Sequence, residues 1–193
     1  QARPEVALKV FDTLSGPAFD LVRAGDVDFA LTAANPQQAV LQYEPLLSDR
    51  FVLLIPSAHP LARSPGPLRW ADTAAAPHVS MTHPSSVRQY AEWAFLQNRI
   101  RFQPVFEAER LATIAAMVEC GFGVAALPEI AAGTVRQPGI VERLLTAPVT
   151  ERSIGLVTAR NRSLSPAAAE LAAAVRARLA TPPLQDAAPE AGA

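Results

Sequence analysis

The stretch Met117-Val118-Glu119-Cys120-Gly121-Phe122-Gly123-Val124-Ala125-Ala126-Leu127-Pro128 decides the fold class. It reads as the end of a helix, a stop and a strand. The helix spans about Arg110 to Cys120, with Leu111, Ile114 and Val118 on one face. Gly121 ends it, because glycine accepts the left-handed backbone that closes helices. Val124 to Leu127 is an apolar strand, and Pro128 opens a brief helix to Ala132. Gly121-Phe122-Gly123 lacks the third glycine of a dinucleotide loop and follows a helix rather than a strand, so a dinucleotide site is not expected.

Outward from this stretch, the same alternation continues in both directions. Pro104 to Glu107 reads as a strand. Before it, Pro84-Ser85-Ser86-Val87-Arg88-Gln89 looks like a helix start in which Ser86 and Gln89 have capping-box spacing. That helix would bury Val87, Tyr90, Ala91 and Ala94, with Phe95 at its edge. His78 to Met81 is a short strand, and the proline- and alanine-rich stretch before it offers a helix near Trp70 to Ala75. Phe51-Val52-Leu53-Leu54-Ile55 is nearly continuous in apolar character, as strands covered on both faces are. At the start, Val6, Leu8 and Val10 alternate as a strand does. Pro17 begins a helix that Gly25 stops, and Val27 to Thr32 is a second strand. This would be a βαβ unit with parallel strands and a right-handed crossover. Toward the end, Ser153 to Thr158 is a strand, and Ser165-Pro166 starts an alanine-rich helix to about Leu179. The Pro/Ala/acid-rich tail, 181–193, is expected to be disordered. The pattern is α/β in two groups divided near Ile55, with a late return to the first.

Composition narrows the function. Half of the 193 residues are apolar, and 17 Lys+Arg against 18 Asp+Glu give a net charge of -1. Without clustered cations, this chain is not expected to bind DNA by itself. One cysteine excludes an internal disulfide and fits a reducing compartment. No apolar run reaches the roughly 18 residues of a membrane span, and no signal peptide is visible. The first residue is Gln1 rather than Met, so the chain reads as a piece of something longer.

Four blocks resemble LysR-type transcriptional regulators. Leu21-Val22-Arg23-Ala24-Gly25-Asp26-Val27-Asp28-Phe29-Ala30-Leu31 is similar to their G-x-L-D-x-A-I signature, with Val27 in place of leucine. Pro45-Leu46-Leu47, the run 51–55 and His59-Pro60-Leu61-Ala62 resemble the next block. Met117 to Pro128 resembles the third. Arg152-Ser153-Ile154-Gly155-Leu156-Val157, then Leu164-Ser165-Pro166-Ala167-Ala168, resembles the closing strand and helix. The similarity covers roughly residues 3 to 180.

The resemblance implies an α/β fold of two Rossmann-like lobes with a hinge, like the type 2 periplasmic binding proteins. Lobe I would hold residues 1–54 and 149–180, and lobe II residues 55–148. It implies a cytoplasmic, allosteric effector-binding domain with no cofactor. Such a domain controls DNA through a winged helix-turn-helix outside this chain, within a homodimer or tetramer. Arg3-Pro4-Glu5-Val6 resembles the end of the family's first helix. The chain as given would therefore lack one central strand of lobe I, and its neighbours would expose ladder groups.

Ligands of two-lobed α/β proteins sit at carboxyl ends of strands, near helix N-termini. Three stretches fit: Thr13, Leu14, Ser15 and Gly16; Thr32 with Ala33; and Met81, Thr82, His83, Pro84, Ser85 and Ser86. Their hydroxyls and free N–H groups suit a small organic acid. The bland reading of the same hydroxyls is helix capping, and Ser86 fits either role. His83 could meet an anion or be an exposed loop residue. His59 reads as structural, and His78 has no partner visible in the sequence. The histidines lack metal-ligand spacing, so no metal is expected. Cys120 reads as a packed, inert thiol. Asp26 and Asp28 bracket a turn, and Glu107 and Glu109 precede a helix whose dipole favours them. No nucleophile elbow or triad is present, so no catalytic residue is assigned. A stand-alone solute-binding protein is the alternative reading. An enzyme on the same scaffold would need convergent catalytic groups.

Overall fold

The computed structural model describes residues 6–34 and 40–180. In chain order the elements are α1 (Ser15–Ala24), β1 (Ala30–Ala33), β2 (Leu41–Pro56), a 3-10 turn (Pro60–Arg63), β3 (Leu68–Arg69), α2 (Trp70–Thr73), β4 (Val79–Met81) and α3 (Ser86–Gln97). Then come β5 (Phe106–Ala108), α4 (Leu111–Glu119), β6 (Ala125–Pro128), α5 (Glu129–Gly133), β7 (Ile140–Thr146), β8 (Glu151–Ala159) and α6 (Pro166–Ala180).

The apolar run 51–55 is the second half of the long strand β2, and every residue in it is buried. β2 belongs to both lobes. Over Leu41–Arg50 it pairs antiparallel with β8, which also pairs with β1. From Phe51 onward it lies between β6 and β7, antiparallel to both. The change of partners falls between Arg50 and Phe51. Lobe I is β1, β8 and the first half of β2, with α1 and α6 packed on them. In lobe II, β4 and β5 run parallel, and His78 bridges Val124 in parallel, so β4 is held between β5 and the strand entering β6. This is the two-lobed, mixed α/β architecture that the sequence suggests.

Local chemistry explains most element ends. Gly25 closes α1 at φ +87°, its N–H donating to the carbonyls of Leu21 and Val22. Ser165 caps α6 by accepting from the N–H of Ala168 at 3.3 Å. Gly155 sits where a Cβ would come within 2.5 Å of the Tyr43 ring, so only glycine lets that ring lie across β8.

Several expectations need correction. Val6, Leu8 and Val10 form no strand: residues 6–14 carry no regular structure, and all three side chains are exposed. Alternation supplies propensity, but a strand exists only when a neighbour completes its ladder, and β1 pairs with β8 alone among the described residues. The parallel βαβ unit is therefore absent among them. β7 has no counterpart in the sequence reading, and β1 is shorter than the run 27–32. Phe95 lies at the centre of the lobe II core, 1% exposed, rather than at its edge. The tail 181–193 and the segment Arg3-Pro4-Glu5 lie outside the described residues.

Candidate functional site

The carboxyl ends of β4 and β5 lie side by side, tied by the Thr82 N–H donating to the Ala108 carbonyl at 3.1 Å. From this edge α3 and α4 start. The residue preceding α3 is Ser85, not Ser86, and its hydroxyl makes no capping bond; Gln89 reaches the Pro84 carbonyl instead. The capping box expected from Ser86 and Gln89 is thus absent. The first N–H groups of α3 lack a side-chain acceptor. Arg110 precedes α4, also without a side-chain cap. Met81 and Ser85 are buried, Thr82 and Ser86 half-buried, and His83 exposed. His83 Nε2 lies 3.1 Å from Glu92 Oε1.

The other two stretches belong to lobe I. Thr32 is buried in β1 opposite Gly155. Just past it, the Ala34 N–H donates to the Ser153 carbonyl at 3.1 Å, which brings the end of β1 to the point where β2 changes partners. Thr13, Leu14, Ser15 and Gly16 surround the start of α1, where Leu14 occupies the cap position without a side-chain bond. α1 packs on β1 and β8. A groove of about 820 Å³ lies elsewhere, on lobe I between residues 6–13, β1 and α6; of the candidate residues only Thr13 lines it.

The crossover itself holds groups that the sequence reading does not single out. Asp49 on β2 and Arg152 on β8 face each other across the ladder, with Nη2 to Oδ2 at 3.1 Å. The second Asp49 oxygen accepts from the Ile130 N–H at 3.1 Å, which ties lobe I's strand pair to lobe II. The Asp49 side chain is 1% exposed and that of Arg152 14%. Burial lowers the Arg152 pKa from its ordinary value, against the pull of Asp49. Tyr90 of α3 reaches the same place, its ring 6.0 Å from Phe51. The Tyr43 hydroxyl pairs with Ser153 Oγ at 2.9 Å, and burial raises its pKa. No sequence signal pairs Asp49 with Arg152, because 103 positions separate them.

The remaining candidates resolve plainly. His59 Nδ1 accepts from the Leu61 N–H at 3.2 Å at the head of the 3-10 turn, a structural role. His78 is buried, with Nε2 at 3.0 Å from the Thr73 carbonyl, and burial pushes its pKa down to about 4. Cys120 is exposed rather than packed, because it follows the last turn of α4 on the side away from Ile114 and Val118. Glu107 lies in β5 and pairs with Arg88 at 2.8 Å, so an ion pair rather than a helix dipole holds it. Asp26 and Asp28 flank Val27 at the turn between α1 and β1. Among the described residues, no cluster of His, Cys, Asp and Glu has the makings of a metal site. None of their helices is long and apolar enough to cross a membrane.

Comparison with known proteins agrees with this geometry. Residues 1–180 match the LysR substrate binding domain. The chain is 32% identical over 173 residues to the uncharacterized HTH-type transcriptional regulator YfeR of Shigella flexneri, covering 90% of this chain and 56% of that protein. It is 24% identical over 165 residues to the uncharacterized HTH-type transcriptional regulator YbhD of Escherichia coli K12, covering 86% and 52%. The chain thus spans about half the length of these relatives. Among solved structures, the effector binding domain of QuiR in complex with shikimate superposes with a TM-score of 0.79 at 17% identity, over 93% of this chain and 82% of that one. The Synechocystis CcmR regulatory domain in complex with 2-PG gives 0.78 at 14% identity, over 86% and 80%. The curated relatives carry names of transcriptional regulators, which does not favour a stand-alone solute-binding protein. The chain belongs to the LysR substrate-binding domain family.

Proposed function

We propose that this chain is the effector-sensing part of a LysR-type transcriptional regulator. It takes a small organic ligand between its lobes and performs no catalysis. The observation that carries the reading is the crossover. Both lobes share β2, which changes partners at one point, so the lobes can turn about that point. A ligand that touches both lobes favours one arrangement over another, and a differential affinity of about 1–3 kcal/mol is typical of such coupling. The bias passes to a DNA-binding segment outside this chain, in a cytoplasmic homodimer or tetramer. The ligand contacts are the hydroxyls and N–H groups of 13–16, Thr32 and 81–86. The uncapped N-terminus of α3 at the carboxyl ends of β4 and β5 supports this placement.

The test is thermal-shift screening against a panel of small carboxylates, followed by Ser15→Ala and Thr82→Ala. At least one acid should raise the melting temperature, and both variants should shrink that rise. An undiminished rise in both variants rejects the pocket placement.

A further inference from the structure

We infer that Arg152 is the anion-recognising residue of the interlobe site, with the Tyr90 hydroxyl as a second donor, so that the effector carries a carboxylate or phosphoryl group. The inference rests on the proposed reading of a ligand between the lobes.

Arg88 and Arg152 both have largely buried side chains, and they are treated differently. Arg88, 7% exposed, meets two carboxylates: Nε reaches Glu92 at 2.7 Å and Nη1 reaches Glu107 at 2.8 Å, while the guanidinium lies over Phe102 at 5.0 Å. Arg152 has one carboxylate, met through Nη2 alone. Its Nε is buried and has no partner. The other Asp49 oxygen is engaged by the Ile130 N–H rather than by Nε. A buried guanidinium donor left open is rare enough to need a reason, since native chains pair nearly all such groups. A structural role would be served by two acceptors, as Arg88 shows.

Position supplies the reason. Arg152 stands opposite Asp49, beside the step from Arg50 to Phe51 at which β2 leaves β8 for lobe II. Tyr90 comes from lobe II's α3, and its ring lies 6.0 Å from that of Phe51, the first residue of β2 past that step. Its hydroxyl makes no hydrogen bond among the described residues. The adjacent Ser153 receives the end of β1 through the Ala34 N–H. The open donors therefore lie where the two lobes meet. An anionic oxygen there accepts from Nε–H and from the Tyr90 hydroxyl together. A neutral ligand would supply an acceptor but leave the guanidinium charge uncompensated on that side. Asp49 is then a positioning residue that holds the guanidinium at the crossover through Nη2.

The experiment uses the full chain and calorimetric titration. The probes are shikimate and benzoate for carboxylates, inorganic phosphate for phosphoryl groups, and methyl shikimate and benzamide as uncharged matches. At least one anion should bind, more weakly as salt rises, and its uncharged match should bind at least about tenfold more weakly. Arg152→Lys keeps a cation beside Asp49 but removes Nε. It should weaken the anion about tenfold to hundredfold, and Tyr90→Phe several-fold. The uncharged matches and the Tyr90 variant keep the test valid even where the lysine variant folds poorly. Equal binding of acid and uncharged match, an unaffected Arg152→Lys variant, or no binding of any of the three anions overturns the inference. Anion binding lost in Ser15→Ala and Thr82→Ala but intact in Arg152→Lys would reject this inference and leave the interlobe site standing. The reverse pattern would support Arg152 and remove the loop placement.

Discussion

The two lobes bury their apolar residues unequally. Lobe II closes around one continuous core in which Phe51, Trp70, Phe95, Ile114 and Leu127 are nearly or fully inaccessible. Lobe I gathers a small cluster of Phe19, Val22, Leu41 and Val157, while Leu8, Val10 and Leu31 stay exposed around the groove beside β1. Both lobes use similar residue types. The difference is that the lobe II half of β2 lies between two neighbours, β6 and β7, with helices packed on it, whereas β1 has a ladder partner on one side only among the described residues. Burial follows from completed layers, not from apolar content alone.

The sharpest way to break that contrast is to cut the same residue type from each core. Phe51→Ala should cost about 3–5 kcal/mol, because the dense surroundings cannot collapse into the void. Phe19→Ala, at 1% exposure but in the smaller cluster, should cost less. Equal losses in urea unfolding would show that lobe I is as tightly packed as lobe II.

The next effect reads the lobe II core through pH. His78 is held neutral in the fold, with a pKa of about 4, by burial against Phe95 and Phe102. The unfolded chain takes up that proton near pH 6.5, so the unfolded state binds more protons between these values. This contribution is complete above about pH 6.5 and declines as pH falls toward 4, by up to about 1.4 kcal/mol per unit. His78→Gln should flatten that slope in unfolding curves measured from about pH 7 to about pH 4. An unchanged slope would assign the acid sensitivity to other groups.

The smallest effect belongs to the exposed rim of lobe I. Val10, 76% exposed, contributes no buried contact to strengthen the fold. Val10→Ser should change stability by no more than about 0.5 kcal/mol. A clear loss would mean that residues 6–14 are covered in solution.

These contrasts also show what the sequence discloses. Short-range signals read well: the apolar run 51–55, the helix stops at Gly25 and Gly121, and the Ser165 cap each depend on neighbours in the chain. Strands that depend on remote partners read badly. Val6 to Val10 alternates convincingly and yet finds no ladder among the described residues. β7 escapes the sequence reading because Glu142 and Arg143 interrupt its apolar pattern, although Arg143 is accommodated by donating to the carbonyls of Ala62 and Ser64. The candidate loops at 13–16 and 81–86 are legible because they adjoin helix starts. Arg152 and Asp49 are not, since their meaning lies in a pairing made by the folded sheet.

We propose that a small acid binds where the lobes meet, not in the groove on lobe I. Backbone amide NMR during titration with shikimate, benzoate and phosphate tests it directly. Shifts should move together at 81–86, Thr32 to Ala34 and Arg152 to Ser153. Shifts confined to Leu8, Leu31 and Leu171 would contradict it.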